Sequence, residues 1–247
     1  MESTKPKRTI SMTTAITYFV VSLIFNSAGN VLTLVSSAKI HVKILGSAYW
    51  TAAENNFGFA FHWSLFWAFL GLGLLTTMLN FILIGHWSWS RLIGNLIFLI
   101  PFSSLIQFFD GVFSNYFPAT SSILGTIVYV FVNFLGVTFI AVAISIYQRV
   151  NLALYPADDL MQILRFKYFD GSAAKAMWCS YIPPTLIAIA AVVMDGIFQG
   201  SFLNGLANFG LGTVFAFLFQ GGITGWSDKH IFPSLKHQAL DVGKIED

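Results

Sequence analysis

Six apolar runs, separated by short polar breaks, set the pattern of this chain. They lie at approximately Met12 to Val35, Phe61 to Ile84, Leu92 to Phe109, Ser122 to Tyr147, Ala176 to Phe198 and Phe202 to Gly222. A helix needs roughly 20 apolar residues to cross the hydrocarbon core of a bilayer, and each run is of that order. Two of the breaks carry helix starts of their own. In Tyr155, Pro156, Ala157, Asp158, Asp159, Leu160, Met161, the proline has the fixed φ suited to a first helical position, and the aspartates put negative charge in the first turn. The earlier break, Tyr49, Trp50, Thr51, Ala52, Ala53, Glu54, is a weaker echo in which Thr51 and Glu54 have capping-box spacing.

The pattern repeats. Asn26 and Gly29 in the first run correspond to Asn133 and Gly136 in the fourth at an offset of 107, and the same offset carries Tyr49 onto Pro156 and Thr51 onto Asp158. Gly94 and Asn95 lie opposite Asn204 and Gly205 at an offset of 110. The economical reading is a duplication. The expected fold is all-α, a single polytopic membrane domain with six transmembrane helices in two inverted three-helix repeats, 10–112 and 120–225, followed by a tail, 226–247. Three spans per half is an odd number, so the second half enters the membrane upside down, the plan of many secondary transporters. The segments 39–60 and 150–175 read either as interfacial or as re-entrant broken helices. The second has a polar face with Asp158, Asp159, Arg165 and Lys167, and an apolar one with Leu160, Met161, Ile163, Leu164 and Phe166.

Composition sharpens this picture. Of 247 residues, 56% are hydrophobic and 10% charged, too few charges to cover a water-facing surface, so the lipid bilayer is the first expected partner. Lys5, Lys7, Arg8, Arg91, Arg149, Arg165, Lys167, Lys175, Lys229, Lys236 and Lys244 fall on one side of the predicted spans and only Lys39 and Lys43 on the other. By the positive-inside rule both termini face the cytoplasm. No small-residue cleavage site closes a short first core, so the first run is read as a retained span. Trp87, Trp89, Trp178 and Trp226 at inner borders, with Trp50, Trp63 and Trp67 near outer ones, read as interfacial anchors.

Other chemistries are excluded as expectations. The basic residues form no stripe, so no nucleic-acid partner is expected. The lone Cys179 permits no internal disulfide. His41, His62, His86 and His230 show no i, i+4 pairing with a carboxylate and His237 has Asp241 alone, so neither a metal nor a cofactor is expected. No G-x-S-x-G elbow or Ser-x-x-Lys pair stands in a plausible setting, so no catalytic residues and no enzyme activity are expected.

Against that background a few polar residues stand out. Asn26 and Asn133 sit within spans, where an amide is costly unless hydrogen-bonded, and the repeat brings them near one another about a pseudo-two-fold axis. They are read as substrate contacts, with interhelical glue beside Ser27, Gly29 and Gly136 as the alternative. Asp158 and Thr51 stand at helix starts whose free N–H groups suit an anionic group, or else act as caps. Glu54 is read as a proton-coupling acid if its segment folds over the cavity, or as a solvated loop residue otherwise. Asp110 and Asp195 read as interfacial.

The motif of Pro156, Asp158, Leu160 and Met161, with a Gly-rich apolar hairpin beyond it, resembles the YczE/YyaS/YitT family of bacterial integral membrane proteins. Gly46 and Trp50 fit the first copy, although Tyr49 stands where the family has Pro and Thr51 where it has Asp. Ile93 and Gly94 fit the start of the hairpin arm, and Gln107 falls where the arm often carries a polar residue. The resemblance, from about Val20 to Gly222, implies a bacterial plasma-membrane location and adds Gln107 to the candidate substrate-binding set of Asn26, Asn133, Thr51, Glu54 and Asp158. The family's own role is largely undefined. The expected function is a permease for a small molecule, not identified by the sequence, with its site between the repeats; the alternative is an accessory or regulatory subunit that docks a membrane protein partner, an enzyme or exporter, through the amphipathic inner segment.

Overall fold

The computed structural model of the protein describes residues 9–42, 44–198, 200–203 and 206–238. Of the sequence pattern, Lys5, Lys7, Arg8, Lys43 and Lys244, and the repeat residues Asn204 and Gly205, lie outside the described residues. The fold is all-helical. Its elements are α1 (Met12–Lys39), α2 (Tyr49–Ala60), α3 (Leu65–Ile84), α4 (Trp89–Tyr116), α5 (Ile123–Val150), α6 (Pro156–Ile163), α7 (Ala173–Ser180), α8 (Ile182–Phe198), α9 (Leu211–Phe215) and α10 (Gly221–His230). A π-helical turn, Leu164–Tyr168, continues α6, and a second, Ala216–Gln220, joins α9 to α10.

Serines set several of the starts. Ser11, Ser88, Ser122 and Ser172 each accept a first-turn N–H, from Thr14, Arg91, Gly125 and Lys175, and so satisfy donors that a helix end leaves orphaned. At the far ends, Gly85 closes α3 at φ +84° and Asn151 closes α5 at φ +48°, the left-handed conformation that stops a helix.

Among the described residues, five helical units are long and apolar enough to cross a membrane: α1, α3, α4, α5 and the α7–α8 unit, Ala173–Phe198. Their outward faces carry large apolar side chains such as Ile82, Leu124, Phe131 and Leu186, while α1 turns Ser22, Ser27, Asn30, Thr33 and Ser36 inward. This distribution suits hydrocarbon outside, and the protein is an integral membrane protein. The inward hydroxyls are satisfied locally: Ser27 donates to Leu23 O at 2.9 Å and Thr33 to Asn30 O at 2.7 Å.

The sixth predicted span, Phe202 to Gly222, is not observed as such. Among the described residues of 202–210 only short turns occur, and the helix begins at Leu211 and runs, through its π turn, to His230. The cause is a competing set of backbone bonds. Ser47 N donates to Asn208 O, Leu211 N to Ile44 O and Gly212 N to Leu45 O, so this chain segment pairs with 44–47 before it can enter a helix.

Helices α1 and α5 form the central pair and run antiparallel. Ala15 packs with Ile146 and Val150 at one end, and at the other Thr120 N, just ahead of α5, donates to Lys39 O. They cross at Gly29 and Gly136. A Cβ built on either glycine would lie 2.7 Å from the other's carbonyl oxygen, so only hydrogen fits at both positions. Around this crossing the contacts are exchanged: α2 packs on α8, whereas α6 packs on α3, and α4 lies on α1 as α10 lies on α5.

At the end of the bundle that carries Arg91, Arg149 and Arg165, the chain beyond α10 folds back as a strap. Arg149, 2% exposed in the last turn of α5, donates from Nη2 to Ile231 O at 2.8 Å and from Nη1 to Phe232 O at 2.9 Å. Asp228 lies 3.5 Å from Arg149 Nε and 2.9 Å from Arg165 Nη2. Gln238 then accepts from Thr9 N at 2.6 Å, while its own N–H donates to Arg149 O. His237 rests edge-on against Phe166, with ring centroids 4.9 Å apart.

Candidate functional site

The two short helices are not surface segments. All eight residues of α6 are buried, as are Thr51, Ala52, Ala53, Glu54, Asn55 and Asn56 of α2. The interfacial reading of 150–175 is therefore replaced by one in which α6 is held inside protein. Tyr49 and Pro156 are the first residues of α2 and α6, at the offset of 107 read from the sequence. In α6 the cap is as expected, with Tyr155 ahead of Pro156 and Asp158 and Asp159 in the first turn. In α2 the expected capping box does not form. Ala48 is the residue ahead of the first turn, and Thr51 is too far inside the helix to cap it.

A small cavity of about 40 Å³ lies beside the α1–α5 crossing, between the first turns of α2 and α6. At roughly 10–15 Å³ per water it holds a few small atoms' worth of space. Asn26, Thr51, Glu54 and Asp158 all line it, so four of the six candidate residues converge. Each is held by a hydrogen bond that crosses between elements. Thr51 donates to Asn30 Oδ1, Asn30 Nδ2 donates to Asn26 Oδ1 at 2.8 Å, Asn26 Nδ2 donates to Tyr147 Oη at 3.0 Å, and Tyr147 donates to Asp158 Oδ2. A continuous relay thus joins the start of α2 to the start of α6. Glu54 accepts from Tyr155 and is 1% exposed, so it is a buried acid rather than a solvated loop residue.

The other two candidates lie elsewhere. Asn133 does not meet Asn26. Its Nδ2 donates to Thr33 O at 3.1 Å, Ser36 Oγ at 3.0 Å and Gly46 O at 2.8 Å, a clamp on the turn before α2. Antiparallel crossing at Gly29 and Gly136 explains the separation. Each asparagine stands three residues from the crossing on its own helix, so the pair lies on opposite sides of it, ~9 Å apart at the rise of 1.5 Å per residue. Gln107 is exposed on α4 and does not line the cavity.

The two acids of α6 have different neighbours. Asp159 forms an ion pair with Arg91 and accepts from Asn80 Nδ2 at 3.3 Å. Among the described residues Asp158 and Glu54 form no ion pair, although an uncompensated buried carboxylate costs several kcal/mol. Each uses one oxygen toward a tyrosine, and among the described residues Asp158 Oδ1 and Glu54 Oε2 have no hydrogen-bond partner. Such groups within a membrane protein interior mark ion, proton or substrate sites far more often than structural ones.

Sequence reasoning missed several members of this site. Asn30 stands one turn from Asn26 and was available to an i, i+4 reading. Tyr147 and Gln220 gave no signal, and Tyr155 and Trp50 stood out only as parts of their motifs, because the groups they face come from distant parts of the chain. Trp50 lines the cavity, unlike the exposed Trp63, Trp67, Trp87 and Trp89.

No curated protein and no solved structure matches this chain. A family model described as a family of unknown function, DUF6198, matches residues 13–229. With nearly the whole chain covered, all five membrane-crossing units and the cavity included, the protein belongs to the DUF6198 family.

Proposed function

We propose that this integral membrane protein is a small-molecule permease of the bacterial plasma membrane, with its site at the cavity between two inverted repeats and both termini cytoplasmic. One observation carries the reading. A small, partly open cavity with polar side chains set in a largely apolar wall lies beside the Gly29–Gly136 helix crossing, bounded by the starts of two short helices at positions offset by 107. Short helices that begin inside the protein and point their N-termini at a central site are a recurring feature of secondary transporters.

The exchanged packing supports the repeat: the short helix of each half rests on the long helix that follows the short helix of the other half, as α2 on α8 and α6 on α3. That arrangement is what a half-turn relating α1 to α5 generates. The resemblance to the YczE/YyaS/YitT family, carried by Pro156, Asp158, Leu160 and Met161, is in keeping with it. On this reading the run from Leu211 to His230 is the sixth span, and its π turn brings Gln220 to the cavity. The accessory-subunit alternative rested on an amphipathic inner segment and on the lack of obvious coupling charges; α6 of that segment is buried, which weakens the first ground.

Access to the cavity from both faces of the membrane is the test. In a Cys179→Ser background, Ala48→Cys and Ala157→Cys place thiols on the cavity wall, and vesicles are treated with an impermeant maleimide on one side at a time. A permease exposes both positions to each side in turn, so both react from both sides. Reaction from one side alone, or from neither, overturns the reading.

A further inference from the structure

We infer that the cavity binds a small primary ammonium ion, through Glu54, Asp158 and Gln220. This names the substrate class of the permease proposed above and rests on that reading for the ion's being carried across the membrane. Binding itself is a separate, measurable matter.

The acids alone do not make the case; Gln220 does. It closes the π-helical turn Ala216–Gln220, is 7% exposed, lines the cavity, and its side chain makes no hydrogen bond among the described residues. A π turn widens a helix locally and re-aims the side chains beyond it, and such turns recur at functional sites. An amide that faces the cavity with no protein partner offers a bound ligand its hydrogen-bonding groups. Gln220 comes from the last helical run, Glu54 from α2 and Asp158 from α6, so three elements distant in sequence deliver one unsatisfied polar group each.

Their chemistry selects the ligand. Glu54 Oε2, Asp158 Oδ1 and the amide oxygen of Gln220 are acceptors, and the tyrosine hydroxyls nearest the acids are already committed as donors. A primary ammonium has three N–H donors and no acceptor, which matches three acceptors around one small space. Its charge offsets a carboxylate that no Lys or Arg neutralises, whereas an anion would add to the buried negative charge. Trp50, Phe69 and Phe102 supply aromatic wall, favourable to an organic cation through the ring quadrupole and to a short alkyl group by packing. A volume of about 40 Å³ limits the ligand to a few heavy atoms, the size of methylammonium.

The probe is methylammonium chloride, added to the purified full-length protein in phosphatidylcholine nanodiscs. Its effect on the unfolding temperature is compared at equal ionic strength with sodium chloride, potassium chloride and N-methylglucamine chloride. Ligand that binds only the folded protein raises that temperature in a saturable way. The expected result is a saturable rise with methylammonium alone, with the apparent Kd weakened by about tenfold or more, ~1.4 kcal/mol, in Glu54→Gln and in Asp158→Asn. Gln220→Leu weakens it as well. Where an acid variant does not fold, Gln220→Leu and the salt series on the unaltered protein decide the matter.

Equal rises with all four salts, or a methylammonium response unchanged in the variants, overturn the proposal. A saturable rise with sodium or potassium but not methylammonium also overturns it, in favour of an alkali-ion site. A protein whose cavity thiols react from both sides without methylammonium binding keeps the permease reading and loses this one. Binding without two-sided labelling does the reverse.

Discussion

Asn26 and Asn133 hold the same place in the two halves and do different work. Asn26 hands hydrogen bonds from one polar side chain to the next, from Asn30 to Tyr147 and on to Asp158. Asn133 binds two backbone carbonyls and a hydroxyl, and fixes the turn that leads into α2. On the proposed repeat the same side chain occurs twice, and the segment packed against each copy sets its use. Beside Asn26 lies the start of α6 with its aspartates. Beside Asn133 lies the loop at Gly46, whose φ is +66° and whose backbone closely approaches Gly210 and Asn208.

The contrast can be broken most forcefully at what the two networks share. Gly136→Leu pushes a side chain toward Gly29 O and Thr33 Cγ2, so it should disrupt both networks at once, at a cost of at least about 3 kcal/mol. The expected outcome is little monodisperse protein in detergent, read by size-exclusion yield. A variant that folds with an unchanged unfolding temperature would show that the crossing does not hold the halves together.

The next effect separates the two asparagines. Asn133→Ala removes a buried donor from three acceptors and should cost about 2–3 kcal/mol, seen as a lower unfolding temperature. Asn26→Ala should cost less, about 1–2 kcal/mol, because Tyr147 keeps its bond to Asp158 and Asn30 keeps its bond to Asn26 O. Its larger consequence should fall on the cavity, as weaker methylammonium binding with the fold retained. Equal losses of stability and binding in both variants would erase the distinction between clamp and relay.

Smaller effects are expected away from both networks. Burial holds the His237 imidazole down, to about 4, with Arg165 adding to the fall and Asp228 opposing it. A histidine lowered on folding binds more protons when released, so the strap is held in full above about pH 6.5 and loosens as the pH falls toward 4. Protease cleavage near residue 235 should therefore rise over that interval while cavity labelling stays constant. Smallest of all, Gln107→Ala should change stability by less than about 0.5 kcal/mol and leave binding intact, because the side chain is exposed and off the cavity.

How far this site was legible in the sequence depends on the range of each interaction. The long helices were legible because run length and hydropathy are local, and so was the start of α6, where Tyr155, Pro156 and Asp158 are consecutive or nearly so. Thr51 and Glu54 were singled out by capping-box spacing, yet neither caps. They matter because Asn30 and Tyr155, from other elements, meet them in the interior. Gln220 was silent, since its role depends on a π turn and on acids more than 60 residues earlier in the chain. The sixth apolar run misled for a related reason. Its hydropathy suited a helix from Phe202, and only the distant backbone of Ile44 and Leu45 claimed the donors of Leu211 and Gly212.

The strap gathered by Arg149 has a topological consequence. Thr9 and Gln238 are hydrogen-bonded to each other, so the first and last described residues lie side by side. Whichever way the molecule is threaded through the bilayer, fluorescent halves fused ahead of Thr9 and behind Gln238 share a compartment and can reassemble. A single split-reporter signal, followed by a quencher confined to one compartment, then reads the orientation of every helix in between.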